Sequence, residues 1–348
     1  MKKMTIIGHF ARGETTHNGQ TVKTKIVTEE LQNQLGCDQV STIDSHGGIK
    51  ALLKAPFHVL KALKKSENVL IFPAHNGLRI YAPLLAFFRS FFKNRRLHYV
   101  VIGGWLPQFV EKRKGLKRRL QRFDGIYVET STMKMALEQQ GFTNVHVMPN
   151  CKKLTALKED ELVYAQNTPY KICTFSRVTK EKGIEDAVNA VLAVNQEFGY
   201  QAFSLDIYGQ VDAGQAQWFE ELKKTFPAYI RYGGLVPFDQ SVETLKNYFA
   251  LLFPTHYYTE GIPGTIIDAY AAGVPVISAK WESFEDIVLD GVTGIGYAFD
   301  TDNPLPKILK EILDNPQVFF DMKKNCLAQA QSYAPETVVR EFIESAKI

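Results

Sequence analysis

Two doubly wound α/β domains in tandem are what this 348-residue chain predicts, and three observations carry that expectation. Val- and Ile-rich runs without strict alternation recur between longer helical stretches, which describes parallel sheets covered on both faces. The series runs twice, and a stretch of mixed charge without a strand-like run, residues 151–168, separates the two runs. At about 100 to 200 residues per domain the length suits two domains. The composition, 45% hydrophobic and 22% charged, is ordinary globular usage and excludes disordered, collagenous and coiled-coil classes.

The elements follow in order along the chain. The first series predicts strands at MTIIGHF, QVSTID, NVLIFPAH, LHYVVIGG, GIYVET and NVHVMPN, with helices over 21–35, 49–65, 78–93, 108–120 and 131–140 between them. The second predicts strands at YKICTFSR, FSLDIYGQ, YIRYGG, ALLFPTH and VPVISA, with helices over 183–199, 213–226, 240–248 and 261–272. From Pro304 onward the chain reads as helical, with breaks at Asn315-Pro316 and Ala334-Pro335. Ligands of open α/β sheets bind at the carboxyl ends of strands, so the expected site is an interdomain crevice that both parallel sheets face.

Charge is divided unevenly. The net charge of +4 is made of +13 over residues 1–150 and −9 over residues 151–348. That asymmetry predicts a first half that meets something anionic and a second half with a different task. Cys37, Cys151, Cys173 and Cys326 lie far apart with no CxxC spacing, which supports neither a zinc ribbon nor a disulfide framework and suits a reduced cytosolic setting. The N-terminal apolar run is shorter than the roughly 7 to 15 residues of a signal peptide. Residues 78–92 are interrupted by Arg79, Pro83 and Arg89, short of the roughly 20 apolar residues that span a bilayer. The chain has no GxGxxG and no GxxxxGK[ST], against a dinucleotide dehydrogenase or a P-loop enzyme.

The most informative stretch is FPTHYYTEGIPGTIIDAYAAGVPVIS, residues 253–278. A strand ends at Thr255 and His256, a loop carries Glu260, and GIPGT opens an amphipathic helix that closes at Gly273. Free backbone N–H groups and the helix dipole at such a start favour an anion, phosphate above all. Asp268 lies eight residues after Glu260, a rise of about 12 Å were both helical, so the two carboxylates would hold opposite ends of an elongated ligand.

These residues resemble the retaining glycosyltransferases of the GT-B fold, family 4 (group 1 glycosyltransferases) of the bacterial surface-polysaccharide type. Their signature is a Glu, seven residues and a second Glu, followed by a Gly-x-Pro-Val-Ile strand; here Glu260, Asp268 and AAGVPVIS stand in those places. The resemblance implies that Glu260 contacts donor-sugar hydroxyls, that the amides of Gly261, Ile262, Pro263, Gly264 and Thr265 form the segment holding the diphosphate, and that Asp268 reaches the ribose. Proline supplies position but no N–H. FSRVTKEKGIEDAV matches the family's Arg-x4-Lys-Gly motif and places Arg177 and Lys182 on the donor diphosphate. Charge building on a leaving diphosphate must meet fixed cations and donors, each worth about 3 kcal/mol in the transition state. The family's Gly-bearing strand ends resemble YGQ at 208–210 and YGGLVPFDQ at 232–240. In the first half, Asn18, Gly19 and Gln20 stand where the family has a glycine-bearing loop against donor phosphates, and His75 where it has a donor-facing histidine.

What the resemblance implies for the whole is a metal-independent hexosyltransferase without a cofactor, using a nucleoside diphosphate sugar, uridine-type by expectation. The acceptor is a lipid-linked glycan or polysaccharide. Domains are expected over 1–155, acceptor-binding, and 165–330, nucleotide-sugar-binding, with a helix at 335–348 packing back on the first. A nucleotide-sugar epimerase of the same fold, or a non-catalytic sugar-nucleotide scaffold, stays open. His9, His17 and His256 read as structural, and Asp300-Thr301-Asp302, a superficial match to a metal-binding DxD, reads as a helix cap. EKRKGLKRRLQR, residues 111–122, carries seven cations and one acid. With Phe87, Phe88, Phe91 and Phe92 upstream it predicts docking of residues 84–122 on an anionic membrane surface, peripherally at the cytoplasmic face, in preference to a nucleic-acid partner.

Overall fold

The computed structural model describes residues 1–11, 19–164, 167–299 and 301–348, apart from the side chains of Ile49, Lys50 and Leu52. It divides into two units, Met1–Lys153 with Tyr333–Ile348, and Leu154–Ser332. Among the described residues each unit holds one six-stranded parallel sheet.

The first sheet comprises β1 (Lys2–Gly8), β2 (Val40–Asp44), β3 (Ser66–Ile71), β4 (Arg96–Val100), β5 (Gly125–Val128) and β6 (Val145–Val147), in the order β2-β1-β3-β4-β5-β6. The chain reverses direction across the sheet between β1 and β3, where such folds open a ligand crevice. Two apolar layers cover it. One packs Val59, Leu63, Leu78, Leu85 and Leu97 beneath helices Ala55–Lys65 and His75–Phe88. The other joins Met4, Ile6, Val27 and Leu31 to Val338, Val339 and Phe342 of the C-terminal helix Pro335–Ala346. Each of those three residues contributes about 1.5 to 3 kcal/mol by burial. Arg96 adds hydrogen bonds to the carbonyls of Ala346 (3.0 Å) and Lys347 (2.9 Å), where they also oppose the helix dipole.

The buried charged and imidazole groups Lys23, Glu129 and His98 of this unit are paired, as their desolvation demands. Lys23 and Glu129 form a buried ion pair at 2.8 Å. His98 lies between Asn68 Oδ1 (3.1 Å) and the Tyr127 hydroxyl (3.2 Å), and burial pushes its pKa down to about 3.

The second sheet comprises β7 (Tyr170–Phe175), β8 (Phe203–Tyr208), β9 (Ile230–Gly234), β10 (Ala250–Phe253), β11 (Val276–Lys280) and β12 (Gly294–Ala298), in the order β12-β11-β10-β7-β8-β9. Its switch point falls between β7 and β10, so the chain after β7 meets the chain after β10. Helices Ile184–Phe198 and Leu305–Asp314 pack Val188, Val191, Ile308 and Leu309 into its core.

Several elements differ from the sequence expectation, and the helix expected over 108–120 is divided into Leu106–Glu111 and Lys114–Leu120. The helix expected over 49–65 is divided into Gly48–Leu53 and Ala55–Lys65, because Pro56 lacks the N–H a continuous helix needs and suits a first turn instead. β12 was not foreseen: its sequence GIGYA carries two glycines, which lower strand propensity, and only pairing with β11 makes it a strand. Residues 154–164 hold no strand and lie on the second unit, where the Leu157 N–H bonds Ala271 O (2.9 Å).

Candidate functional site: the switch point of the second sheet

After β7 the chain runs through Ser176 and Arg177 into a tight turn at Lys180–Lys182, and Gly183 closes it in the left-handed region (φ 68°) before helix Ile184–Phe198 begins. A methyl built on Gly183 would overlap the Pro254 carbonyl oxygen, so only glycine lets the two strand ends approach this closely. Gly209 does the same after β8 (φ 133°), where a methyl would overlap the Ser176 carbonyl, and its N–H bonds Gly234 O (2.9 Å). The ends of β7, β8, β9 and β10 are thereby stitched into one surface.

That approach sets Lys182 against Glu260. Their charged ends form an ion pair, with side chains 11% and 17% exposed. Thr255 Oγ1 donates a second bond to the same carboxylate oxygen (3.1 Å) and accepts from the Tyr257 N–H (3.1 Å). The Lys182 ammonium also lies 5.1 Å from the ring centres of Phe253 and Tyr257, within the range of cation–π attraction. Arg177 is exposed, and no described residue pairs with its guanidinium. Its charge is felt by Glu181, whose carboxyl is held below its ordinary range chiefly by the hydrogen bond from Gln215 (2.9 Å).

Helix Gly264–Ala271 starts behind Pro263, which has no side chain to cap it. The Gly264 and Thr265 amides therefore lack an intrahelical acceptor, while the Ile266 N–H already bonds Pro263 O (3.1 Å). Thr265 Oγ1 is buried with no hydrogen-bond partner among the described residues. One turn on, Asp268 is 2% exposed and accepts a hydrogen bond from Ser241 Oγ (2.9 Å). Asp268 thus faces helix Ser241–Leu245, which follows the GGLVPFDQ segment, and not Glu260's partners. Nearby, Asp206 takes bonds from Arg231 and Tyr248, and Tyr208 and Tyr248 join their hydroxyls at 2.9 Å. Burial, then the bond to Asp206, drives the Tyr248 phenol well above its ordinary range.

Lys323 braces the other end of this helix. It is buried, and its ammonium donates to the carbonyls of Gly273 (3.1 Å) and Tyr248 (3.5 Å), with desolvation lowering its pKa to about 8. A cation at a helix C-terminus is favourable to the dipole. Sequence reasoning missed Lys323, Thr255 and Ser241, since their partners lie on other elements. A strand-end hydroxyl five residues before an acid was the only available signal for Thr255.

In the first unit, Gly19 begins helix Gly19–Leu35 and is exposed. His75 begins helix His75–Phe88, stacked on Trp105 (3.9 Å, 29°) and edge-on to Phe109 (5.0 Å). Burial, then the Arg113 charge, lowers its pKa. It lines a cavity of about 280 Å³ with His9, Gln20, Ser45 and Tyr81, at the β1/β3 switch point. Asn18, His17 and Asp300 lie outside the described residues. Phe87 and Phe91 are exposed (61% and 70%), whereas Phe88 and Phe92 pack against the core. No helix among the described residues is long and apolar enough to cross a membrane.

The cap expected from Thr301 and Asp302 is not formed. Pro304 takes the N-cap of Leu305–Asp314, and no side-chain cap hydrogen bond forms among the described residues. Proline's fixed φ already suits a helix start, and Asp302 turns to a neighbouring cavity instead.

Comparison with known proteins places this geometry. Residues 169–315 match the family model described as Glycosyl transferases group 1. An uncharacterized glycosyltransferase of Methanocaldococcus jannaschii, MJ1069, is 20% identical over 169 residues, which are 47% of this chain and 41% of the relative. The match therefore spans less than half of that relative's length. Among solved structures, HepE of Anabaena in complex with UDP aligns over 100% of both chains at 15% identity and a TM-score of 0.75. The sucrose-phosphate synthase of Thermosynechococcus elongatus aligns over 100% of this chain and 98% of its own, at 15% identity and a TM-score of 0.78. The fold is GT-B, two Rossmann-like units with parallel sheets.

Proposed function

We propose that the chain is a metal-independent, retaining glycosyltransferase that moves a sugar from a nucleoside diphosphate sugar, UDP-linked, to a lipid-linked glycan or polysaccharide. The observation that carries this reading is the Lys182–Glu260 pair at the β7/β10 switch point, with the open amides of Gly264 and Thr265 in the same connection. The group 1 family match over 169–315 and the UDP-bound neighbour support the donor class.

In this reading the diphosphate seats on the Gly264 and Thr265 amides, and its charge draws Lys182 and the unpaired Arg177. As the sugar–phosphate bond breaks, negative charge gathers on the leaving oxygen, and these cations and N–H donors stabilise it more than they stabilise the ground state. They take the place a metal would hold. Glu260, steadied by Thr255, accepts hydrogen bonds from sugar hydroxyls and fixes the ring. The leaving phosphate takes the acceptor proton on the same face, so no side-chain base is needed. Asp268 and Ser241 stand toward the ribose.

The test pairs binding with turnover. UDP, compared with GDP, ADP and dTDP, raises the melting temperature most, since ligand at a hundredfold excess over Kd adds about 2.7 kcal/mol. Arg177→Ala and Lys182→Ala lose donor turnover, and wild-type turnover survives EDTA. Unchanged rates in both variants refute the donor site; activity lost in EDTA refutes metal independence; product formed without acceptor assigns an epimerase.

We further propose that the first unit docks on an anionic bilayer through residues 84–122. The exposed rings of Phe87 and Phe91 stand 5.7 Å apart beside Arg89, and Lys93 and Arg122 line the adjoining surface hollow. Flotation with anionic vesicles and not with neutral ones is the expected result; equal partitioning removes the claim.

A further inference from the structure

The second unit has a cavity of about 340 Å³ lined by the Pro254–His256 loop, the ends of β11 and β12 and the start of helix Ile184–Phe198. Its size falls within the roughly 300 to 1,000 Å³ of small-molecule sites. We propose that this cavity is a separate binding site for a neutral glycan segment.

The lining decides the ligand class. Among the described residues no lysine or arginine lines it, while Asp186 and Asp302 do, which disfavours a phosphate or carboxylate. Asp186 is already paired with His256 (2.6 Å), and Asp302, exposed, has no partner among the described residues. Asn189 and Asn303 offer amide donors and acceptors beside them. The aromatic side chains of Tyr297 and Phe299 form an apolar wall, and Phe299 is held edge-on by Tyr258 (5.1 Å, 69°). A pyranose answers this arrangement. Its C–H face covers an aromatic ring, its hydroxyls donate to the carboxylates, and its oxygens accept from the amides. A cation would use Asp302 and the rings but would leave both amides without acceptors of their own, so it is the competing outcome of the test.

The site is tied to the proposed donor site by one residue. Thr255 lines the cavity and donates to Glu260, so an occupant that shifts the loop bears on Glu260's orientation. Glycan binding itself stands apart from the proposed transferase activity; only this consequence for Glu260 rests on it.

The test uses saturation-transfer NMR on the full chain with maltotriose, chitotriose and methyl α-galactoside, each with and without saturating UDP. At least one saccharide binds saturably and remains bound when UDP is present. Asp302→Ala and Asn189→Ala each weaken that binding about tenfold, the effect of one hydrogen bond to a charged or buried group, with UDP affinity unchanged. Circular-dichroism melts matching the wild type show that both variants fold. Absence of binding by all three saccharides, competition by UDP, wild-type affinity in both variants, or displacement by putrescine or Ca²⁺ each overturns the proposal. Failure of UDP to bind while a saccharide still does would remove the donor-site reading and leave this one standing.

Discussion

Removing Lys182 while keeping Glu260 tests the core of the site. Both side chains retain less than a fifth of their exposure, so a lone carboxylate there loses its partner without regaining full hydration. Breaking a buried pair costs about 3 to 5 kcal/mol, whereas an exposed pair is worth about 1 kcal/mol or less. Because both groups still reach solvent, the lower end applies, and Lys182→Met is expected to lose about 3 kcal/mol. Glu260→Gln keeps the Thr255 bond and is expected to lose about 2 kcal/mol. The double variant removes both charges together, so its loss falls short of the sum by about 2 kcal/mol. Urea unfolding of the four proteins, followed by fluorescence, reads this directly, since Trp218 and Trp281 lie in the second unit. Additive losses within about 0.5 kcal/mol would show that the pair is a surface contact and not a preorganised part of the site.

Other expected outcomes follow from the same geometry. Gly183→Ala adds about 1 to 2 kcal/mol of left-handed strain to its overlap with Pro254 and is expected to separate Lys182 from Glu260. A wild-type melting temperature and UDP affinity in that variant would contradict the close approach. For Lys323, the native pKa of about 8 lies below the unfolded 10.5, so its full contribution is present above pH 10.5 and is lost as pH falls to 8. The drop corresponds to about 3 kcal/mol, and the stability of wild type relative to Lys323→Met is expected to rise by that amount between pH 8 and 10.5. Parallel pH profiles of the two proteins would count against it. His98 behaves alike at acid pH: its contribution is complete above about 6.5 and falls away toward pH 3, by about 5 kcal/mol. An acid unfolding curve unaltered in His98→Gln would refute that assignment.

Much of the architecture was legible in the residues. Fully buried parallel strands must be apolar on both faces, so runs such as NVLI and YKICTF announce themselves without a partner in view. Proline punctuation marked the C-terminal helices almost to the residue. Arg177, Lys182 and Glu260 were legible as charged residues in motifs that resemble a family's, and in the proposed function they serve a leaving anion. β12 was invisible, since pairing with β11, and no local propensity, makes GIGYA a strand.

What the chain determined alone were the elements, their alternation and the identity of the charged groups, all properties of short windows. The tertiary structure decided which of those groups meet. Lys182 finds Glu260 across 78 positions because Gly183 yields to the Pro254 carbonyl. Asp268 is committed to Ser241, Lys323 closes the far end of the same helix, and Asp302 leaves a cap that proline had filled for a cavity no sequence window describes. Pairing energies depend on distance and burial, and neither exists until strands from separate parts of the chain lie side by side.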